Sequence, residues 1–202
     1  KNKIENSVAV NFMHELGHTL GLSHGGCEKA GYKPNYISVM NYLYGNLAKK
    51  GSFTCTKEST NYAVEYSIDY SHHELIPLNP AELIEKDGVI GSLNLSEESF
   101  VKYRNSPIAY FLKKDEISGD NVFEFAYVSL GGLDWNKDGN INGYNSVSVP
   151  LILPELDESD GVLHGHNDWA VVHDSIKNRF GLNQFDADPI SNKKASLITV
   201  CK

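Results

Sequence analysis

The most constraining stretch of this chain is HELGHTLGLSH, residues 14–24, which holds three histidines and a glutamate. His14 and His18 are four residues apart, so on a helix they share one face, with Cβ atoms about 5–6 Å apart. Two imidazoles at that separation can converge on one metal ion. Gly21 has no Cβ and can leave the helix in a left-handed conformation, which returns His24 toward the same ion. The stretch therefore predicts a metal site.

The ligand set and the glutamate beside it predict the chemistry of this site. Zinc takes three or four nitrogen, sulfur or oxygen ligands, and three histidines leave one position for water, as in catalytic sites. Glu15 follows His14 directly, so its carboxylate lies beside the ion rather than on it. That position suits a general base acting on a water molecule. We therefore predict His14, His18 and His24 as zinc ligands and Glu15 as a catalytic residue.

A second motif follows the first. The stretch at 14–24 matches HExxHxxGxxH, and the run SVMNY at 38–42 places Met40 sixteen residues after His24. Together they resemble the metzincin zinc proteases, on their serralysin and matrixin side, in which a methionine turn follows the zinc helix. The resemblance implies that Met40 packs beneath the imidazoles as a soft hydrophobic layer. It also implies that Tyr42 ligates zinc or donates a hydrogen bond to the developing oxyanion.

The resemblance rests on residues 7–42 and extends to the rest of the chain only in outline. It implies an α+β, loop-rich, metzincin-like catalytic domain that consists mainly of the zinc-binding helix and the C-terminal, lower subdomain. We expect one domain over 1–202, with the zinc helix and methionine turn in 1–60 and the lower subdomain, including an acidic calcium-loop region, in 61–202. Metzincins place a twisted sheet and a long helix before the zinc helix. The thirteen residues before His14 cannot supply them, so the chain is interpreted as a fragment, a processed product or one chain of a nicked pair. In the last case a separate N-terminal chain or fragment is expected to complete the catalytic domain.

Two classes of function are compatible with these motifs. The first is a secreted zinc endopeptidase that hydrolyses peptide bonds in proteins or peptides and is stabilised by calcium. The second is an inactive metzincin-like scaffold, or a calcium-dependent binding module of a larger secreted or surface protein. The intact Glu15 favours the first, because an inactive scaffold has no chemical need for it.

Composition excludes other classes of protein. The 202 residues are 41% hydrophobic and 22% charged, with a net charge of −8. Residues 120–190 contain twelve Asp or Glu and three Lys or Arg, the opposite balance to that of a nucleic-acid-binding surface. No apolar run approaches the roughly 18–20 residues that a membrane-spanning helix needs. We therefore predict no nucleic-acid partner and no membrane span.

The acidic second half contains a candidate calcium loop. The run DWNKDGNIN at 134–142 provides oxygens at loop positions 1, 3, 5 and 7, from Asp134, Asn136, Asp138 and the backbone of Asn140. Position 12 is Asn145 rather than the bidentate glutamate of an EF-hand, so a shorter calcium loop is predicted. An Asx-rich turn without an ion is the alternative.

Cysteines, tryptophans and two later histidines carry further expectations. Cys27 and Cys55 are disulfide candidates if the protein is extracellular, and Cys201 is then a free thiol or pairs with another chain. Trp135 and Trp169 are interpreted as core residues rather than as substrate platforms. An alternating histidine pair can bind metal, but His164 and His166, in the run HGH, are interpreted as an exposed loop pair.

Periodicity and capping signals predict the remaining elements. We expect a helix over 8–20, capped by Ser7 and ended by Gly21, with an apolar stripe formed by Val8, Phe12, Leu16 and Leu20. Further helices are expected over 81–87 after Asn79-Pro80, from Ser96, and from Asn167. Strands are expected over 62–69, 121–130, 147–153 and 197–200. Residues 21–60 are interpreted as loops and turns.

Overall fold

The computed structural model describes ten stretches of the chain: 3–50, 53–57, 60–64, 68–91, 107–114, 121–127, 132–136, 138–141, 146–148 and 161–180. Within these stretches the helices are α1 (Lys3–Thr19), α2 (Tyr42–Lys50) and α3 (Asp168–Phe180). None of the described helices is long and apolar enough to cross a membrane.

In the described stretches, six strands form three separate antiparallel pairs. They are β1 (Phe53–Lys57) with β2 (Thr60–Val64), β3 (Leu83–Ile84) with β6 (Ser146–Val147), and β4 (Pro107–Lys114) with β5 (Asn121–Tyr127). The β4–β5 register is interrupted between Phe111 and Lys113. The predicted strand over 121–130 is confirmed as far as Tyr127, and the predicted strands over 62–69 and 147–153 each overlap an observed strand.

At the C-terminal end of α1 the chain turns back toward the last turn of the helix. Gly21 has a φ of +95°, which a residue without a Cβ adopts at no steric cost. Its N–H bonds to the carbonyl of His18 at 3.1 Å, and the N–H of Leu22 bonds to the carbonyl of Gly17 at 2.9 Å. These two bonds are the Schellman arrangement, which satisfies carbonyls that the helix end leaves open. The predicted role of Gly21 at the helix end is confirmed.

The predicted stripe of α1 packs on the core only near its C-terminal end, where Leu20 lies against buried residues. Val8 is 63% exposed and Phe12 is 65% exposed, whereas Val10 is buried. The helix also begins at Lys3, so that the predicted cap, Ser7, lies inside it. The sequence carries apolar residues on two sides of α1, and periodicity alone selected a side whose first two members face solvent.

Two hydrophobic clusters form the interior of the described structure. The first packs α1, α2 and α3 around the loop that precedes α2, with the buried residues Val10, Leu22, Tyr36, Val39, Met40, Leu43, Tyr44, Leu47, Ala48, Tyr70 and Val172. The second gathers the chain around Trp135, with Ala30, Leu75, Leu78, Leu83, Val89, Ile90, Ile108, Leu133 and Leu163. His14 and His18 lie on α1, which contributes Val10 to the first cluster. His24 follows Leu22, another member of that cluster.

Several sequence predictions are wrong in instructive ways. The helix predicted over 81–87 is absent, because Leu83 and Ile84 pair with β6 while the Asn79 side chain caps a turn through the N–H of Ala81 at 3.1 Å. The predicted loop over 21–60 contains α2 and β1. Trp135 is buried as predicted, but Trp169 is 40% exposed. The helix predicted from Ser96 and the strand predicted over 197–200 lie outside the described residues.

Candidate metal centre

The three predicted histidines meet at the C-terminal end of α1. His14 and His18 come from successive turns of the helix, and the chain that leaves Gly21 brings His24 to them. One ligand atom from each ring lies within 4.8 Å of the others, and in the described part of the chain this is the one group of His, Cys, Asp or Glu that could hold a metal ion. The ring centroid of His14 is 4.8 Å from that of His18 and 5.0 Å from that of His24.

Backbone carbonyls fix which nitrogen of two rings is available to a metal. His14 Nδ1 lies 3.0 Å from the carbonyl oxygen of Val39, and His18 Nδ1 lies 3.0 Å from that of Leu22. Because a carbonyl oxygen only accepts, each Nδ1 carries the proton, and each Nε2 keeps its lone pair. This second layer of contacts is the usual way in which proteins orient metal-binding histidines.

The spacing of the Nε2 atoms of His18 and His24 fits a shared ion. His18 Nε2 and His24 Nε2 are 3.0 Å apart. Two nitrogens bound to one tetrahedral zinc ion would stand about 3.3 Å apart. Neutral imidazole suits zinc, copper, nickel and iron, whereas calcium prefers oxygen ligands. The histidine trio could therefore hold a transition metal.

The two residues predicted to assist the metal occupy different positions around the trio. Glu15 is exposed on α1, about 100° around the helix axis from His14. Tyr42 is the first residue of α2, and its ring centroid lies 5.4 Å from that of His14 and 4.2 Å from that of His24. The structure therefore brings Tyr42 against two of the three imidazoles.

Met40 packs beneath the end of α1 that carries the histidines. It is fully buried in the first cluster. A Cβ built on Gly17 would lie only 2.3 Å from Met40 Sδ, so the absence of a side chain in the helix lets the methionine approach the backbone. The turn around it is held by Asn41, whose amide donates to the carbonyls of Lys33 at 2.8 Å and Tyr36 at 2.7 Å.

A buried carboxylate beside this turn was not anticipated from the sequence. Asp168 begins α3 and is fully buried; it accepts hydrogen bonds from the hydroxyls of Tyr36 and Ser38 and from the N–H of Ser71. Burial raises the pKa of the Asp168 carboxyl, while the hydrogen bonds from Ser38 and Tyr36 act in the opposite direction. Burial also lowers the pKa of His166, whose Nε2 lies 3.7 Å from Asp168 Oδ1.

His164 and His166 do not form the exposed pair that the sequence predicts. His166 is buried, and Gly26 approaches it so closely that a Cβ on the glycine would lie 2.5 Å from the His166 ring. His164 is half-exposed, and its ring nitrogen Nδ1 contacts Glu28. The sequence analysis predicted neither contact.

The loop after His24 is held by a buried lysine. Lys33 Nζ donates to the carbonyl of Gly25 at 2.8 Å and to Glu28 Oε2 at 2.7 Å, and it also donates to the carbonyl of His164. Burial lowers the pKa of Lys33, and the Glu28 carboxylate opposes that shift. Three acceptors therefore saturate the ammonium and fasten the chain that follows the third histidine.

Side chains of the predicted calcium loop accept hydrogen bonds from the backbone N–H groups of the same loop. Asp134 accepts from the N–H of Asp138 at 3.2 Å and of Gly139 at 2.9 Å, and Asp138 accepts from the N–H of Asn140 at 2.8 Å. Asn136 Oδ1 accepts from the N–H of Asp138 at 3.0 Å. The structure brings these side chains into one loop, with Asp138 and Asn140 exposed, and these bonds are equally those of an Asx-rich turn.

The disulfide prediction is tested only at one end. Cys27 is disulfide-bonded, and its sulfur lies 3.5 Å from His166 Nδ1. Cys55 lies on β1 with its backbone opposite Tyr62, but its side chain is outside the described part of the structure, as is Cys201. The pairing of Cys27 with Cys55 therefore stays a prediction.

Comparison with known proteins does not narrow the assignment. No protein-family model, no curated protein and no solved structure matches this chain. What the centre can do follows from its own residues: three imidazoles that share a ligand position, a tyrosine against two of them, and an exposed glutamate next to the first.

Proposed function

We propose that this chain is a zinc-dependent, metzincin-like endopeptidase of α+β fold that hydrolyses proteins or peptides. The observation that carries the proposal is the meeting of three histidines whose ligand atoms lie within 4.8 Å of one another. The Nδ1 atoms of His14 and His18 are engaged by backbone carbonyls, so both rings offer Nε2. Three histidines leave one coordination position for a further ligand, as hydrolytic zinc sites require.

His14, His18 and His24 would hold the ion. When bound, zinc supplies Lewis acidity to the scissile carbonyl and lowers the pKa of a water molecule. The remaining steps belong to side chains of this chain. Glu15 accepts a proton from the attacking water as the water oxygen bonds to the carbonyl carbon. Glu15 then delivers that proton to the amine nitrogen as the C–N bond breaks.

Tyr42 is the residue best placed to assist at the carbonyl oxygen. Its ring lies against those of His14 and His24, which supports a role for its hydroxyl group beside the ligands. A phenolic O–H that donates to the developing oxyanion stabilises it selectively in the transition state. Tyr42→Phe keeps the ring packing and removes only this donor.

A matched pair of glutamate variants tests the proposal. Glu5 and Glu15 are both exposed on α1. We expect purified wild-type protein, Glu5→Gln and Glu15→Gln to contain equal amounts of zinc by elemental analysis. Glu15→Gln should lose activity toward casein or a peptide library by roughly 10²–10⁴-fold because it lacks the general base, while Glu5→Gln keeps wild-type activity.

The outcomes separate the ligands from the base. Undiminished hydrolysis by Glu15→Gln would exclude Glu15 as the base. Freshly purified wild-type protein that contains no zinc and gains none on titration would remove the metal assignment itself. Loss of zinc from His18→Ala, together with retention of zinc in Glu15→Gln, is the pattern that we expect.

Secretion is proposed on the state of Cys27. Its participation in a disulfide fits an oxidising compartment, in which such bonds persist.

The alternative function, a calcium-dependent binding module, is favoured by the loop that holds Asp134, Asn136 and Asp138. It predicts a calcium-dependent rise in melting temperature that Asp134→Asn abolishes and that does not depend on Glu15.

A further inference from the structure

We infer that Asp168 is a positioning residue of the metal centre, an inference that rests on the proposed function. Its carboxylate fixes the turn from Ser38 to Met40, and that turn aims the carbonyl of Val39 at His14. Asp168 is far from the histidines in the sequence and belongs to a different helix, so neither motif of the sequence includes it.

The carboxylate joins three separated segments of the chain. The hydroxyl of Tyr36 donates to Asp168 Oδ1 at 2.7 Å, and the hydroxyl of Ser38 donates to Oδ2. The N–H of Ser71 donates to Oδ2 at 3.2 Å, and Ser71 Oγ accepts from the N–H of Asp168 at 2.9 Å. Because Asp168 is fully buried, water cannot replace a partner that is lost.

A continuous set of hydrogen bonds leads from Asp168 to the first ligand. Ser38 gives its hydroxyl proton to Asp168, so its oxygen is oriented to accept from the N–H of Met40 at 3.0 Å. Between these residues, the N–H of Val39 bonds to the carbonyl of Asp69 at 2.8 Å. The Val39 carbonyl then accepts from His14 Nδ1 at 3.0 Å, which sets the orientation of the ring that would bind the metal.

A second contact points to the third ligand. Tyr36 Oη, which donates to Asp168, also lies 3.4 Å from the carbonyl oxygen of Ser23. Ser23 directly precedes His24. The single phenolic proton goes to the nearer and charged acceptor, so the carboxylate also fixes the Tyr36 side chain beside the loop that carries His24.

The site needs a carboxylate rather than an amide. Three donors from Tyr36, Ser38 and Ser71 converge on the two oxygens of Asp168. Asn has one acceptor oxygen, and its NH₂ group would face at least one of these donors. Asp168→Asn therefore keeps the size of the side chain while leaving a buried donor without an acceptor and releasing the Ser38 turn.

The experiment measures the metal centre directly. In the full chain, zinc affinity is measured by competition with a chromophoric chelator, and the visible absorption spectrum of bound Co²⁺ reports ligand geometry. We expect Asp168→Asn to bind zinc roughly 10–100-fold more weakly, the usual effect of losing an outer contact of a metal ligand, with an altered Co²⁺ spectrum. Ser38→Ala removes only one link and should show a smaller change in the same direction.

Glu85→Gln is the matched control. Glu85 is also a fully buried carboxylate and accepts from the N–H of Trp135 at 3.1 Å, beside the second cluster rather than the first. This variant should lose stability but keep wild-type zinc affinity and the wild-type Co²⁺ spectrum. An equal loss in Glu85→Gln and Asp168→Asn would show that general destabilisation is the cause and would overturn the inference.

The remaining outcomes distinguish this inference from the proposed function. Wild-type protein that binds no zinc removes the proposed function. Wild-type protein that binds zinc, with affinity and spectrum unchanged in both Asp168→Asn and Ser38→Ala, leaves the proposed function standing and overturns the role of Asp168. If Asp168→Asn does not fold, Ser38→Ala decides alone: an altered spectrum supports the role, and an unchanged one refutes it.

Discussion

Gly17 occupies a position in α1 where any side chain would collide with Met40, beneath the candidate metal centre. Its missing Cβ would lie 2.3 Å from Met40 Sδ and 3.1 Å from Tyr70 Cε1. The Tyr70 hydroxyl donates to the carbonyl of Met13 at 2.6 Å, so this ring cannot move away freely. Packing therefore explains why residue 17 of the histidine motif is a glycine, and metal binding does not.

Replacing Gly17 with alanine should separate α1 from Met40. We expect Gly17→Ala to lower the free energy of unfolding by about 1–3 kcal/mol, the usual cost of overpacking, as measured by urea denaturation. In the control Gly31→Ala, the new Cβ would meet Tyr42 Cδ2 at an ordinary 3.9 Å. That variant should be as stable as wild type or slightly more stable. Equal losses in the two variants would contradict the steric explanation.

His166 should make stability depend on pH. Burial lowers the pKa of its imidazole, so just below the ordinary value of about 6.5 the unfolded chain binds a proton that the folded chain does not. The free energy of unfolding therefore falls as the pH falls from about 6.5 through this window. His166→Gln removes this contribution.

Urea denaturation at pH 7.5 and pH 5.5 measures the effect of His166. The free energy of unfolding of wild type minus that of His166→Gln should be smaller at pH 5.5 than at pH 7.5. His72→Gln is the comparison, since His72 is exposed. A wild-type-minus-variant difference that stays constant or grows on acidification would refute the role assigned to His166.

At the scale of elements, one face of α1 packs against the first cluster and another face is exposed to solvent. Val10 is 1% exposed in the first cluster, whereas Phe12 is 65% exposed. We expect Val10→Ala to lower the free energy of unfolding by about 1–3 kcal/mol through the cavity that it leaves. Phe12→Gln should change it by no more than about 0.5 kcal/mol. Thermal unfolding of both variants checks the orientation of α1, and a larger loss in Phe12→Gln would reverse it.

Elements that depend on local signals were predictable from the sequence. The helix from Asn167 was predicted by its cap, and Asn167 Oδ1 does accept from the N–H of Ala170 at 3.1 Å. The end of α1 was predicted from Gly21, because a left-handed residue is a local requirement. The histidine spacing likewise needs only one helix and its exit.

Features that depend on distant partners were not predictable. Leu83 and Ile84 form a strand because residues far along the chain pair with them, and this pairing overrides a reasonable helical propensity. The network around Asp168 joins residues separated by about a hundred positions or more. No pattern in a single sequence indicates which distant donors will surround a given aspartate.

At the scale of the whole molecule, long-range polar contacts link the two clusters. The amide of Asn35 donates to the carbonyls of Ile76 at 2.8 Å and Leu163 at 2.9 Å, and both acceptors belong to or pack against the second cluster. Asn35 is fully buried in the chain between His24 and Met40. The loop beside the metal centre is thus tied to the second cluster, so a ligand that stabilises the centre should stabilise the fold around it.

Zinc should therefore raise the melting temperature of the chain. A ligand that binds only the folded state at 100 times its dissociation constant adds about 2.7 kcal/mol, which corresponds to roughly 5–10 °C for a domain of this size. Differential scanning calorimetry with and without free zinc should show this shift in wild type and in His72→Ala. His24→Ala, which keeps only two of the three ligands, should lose most of it. If His24→Ala keeps the full zinc-dependent shift, the ion binds elsewhere, because the folded state then gains the same free energy without the third imidazole.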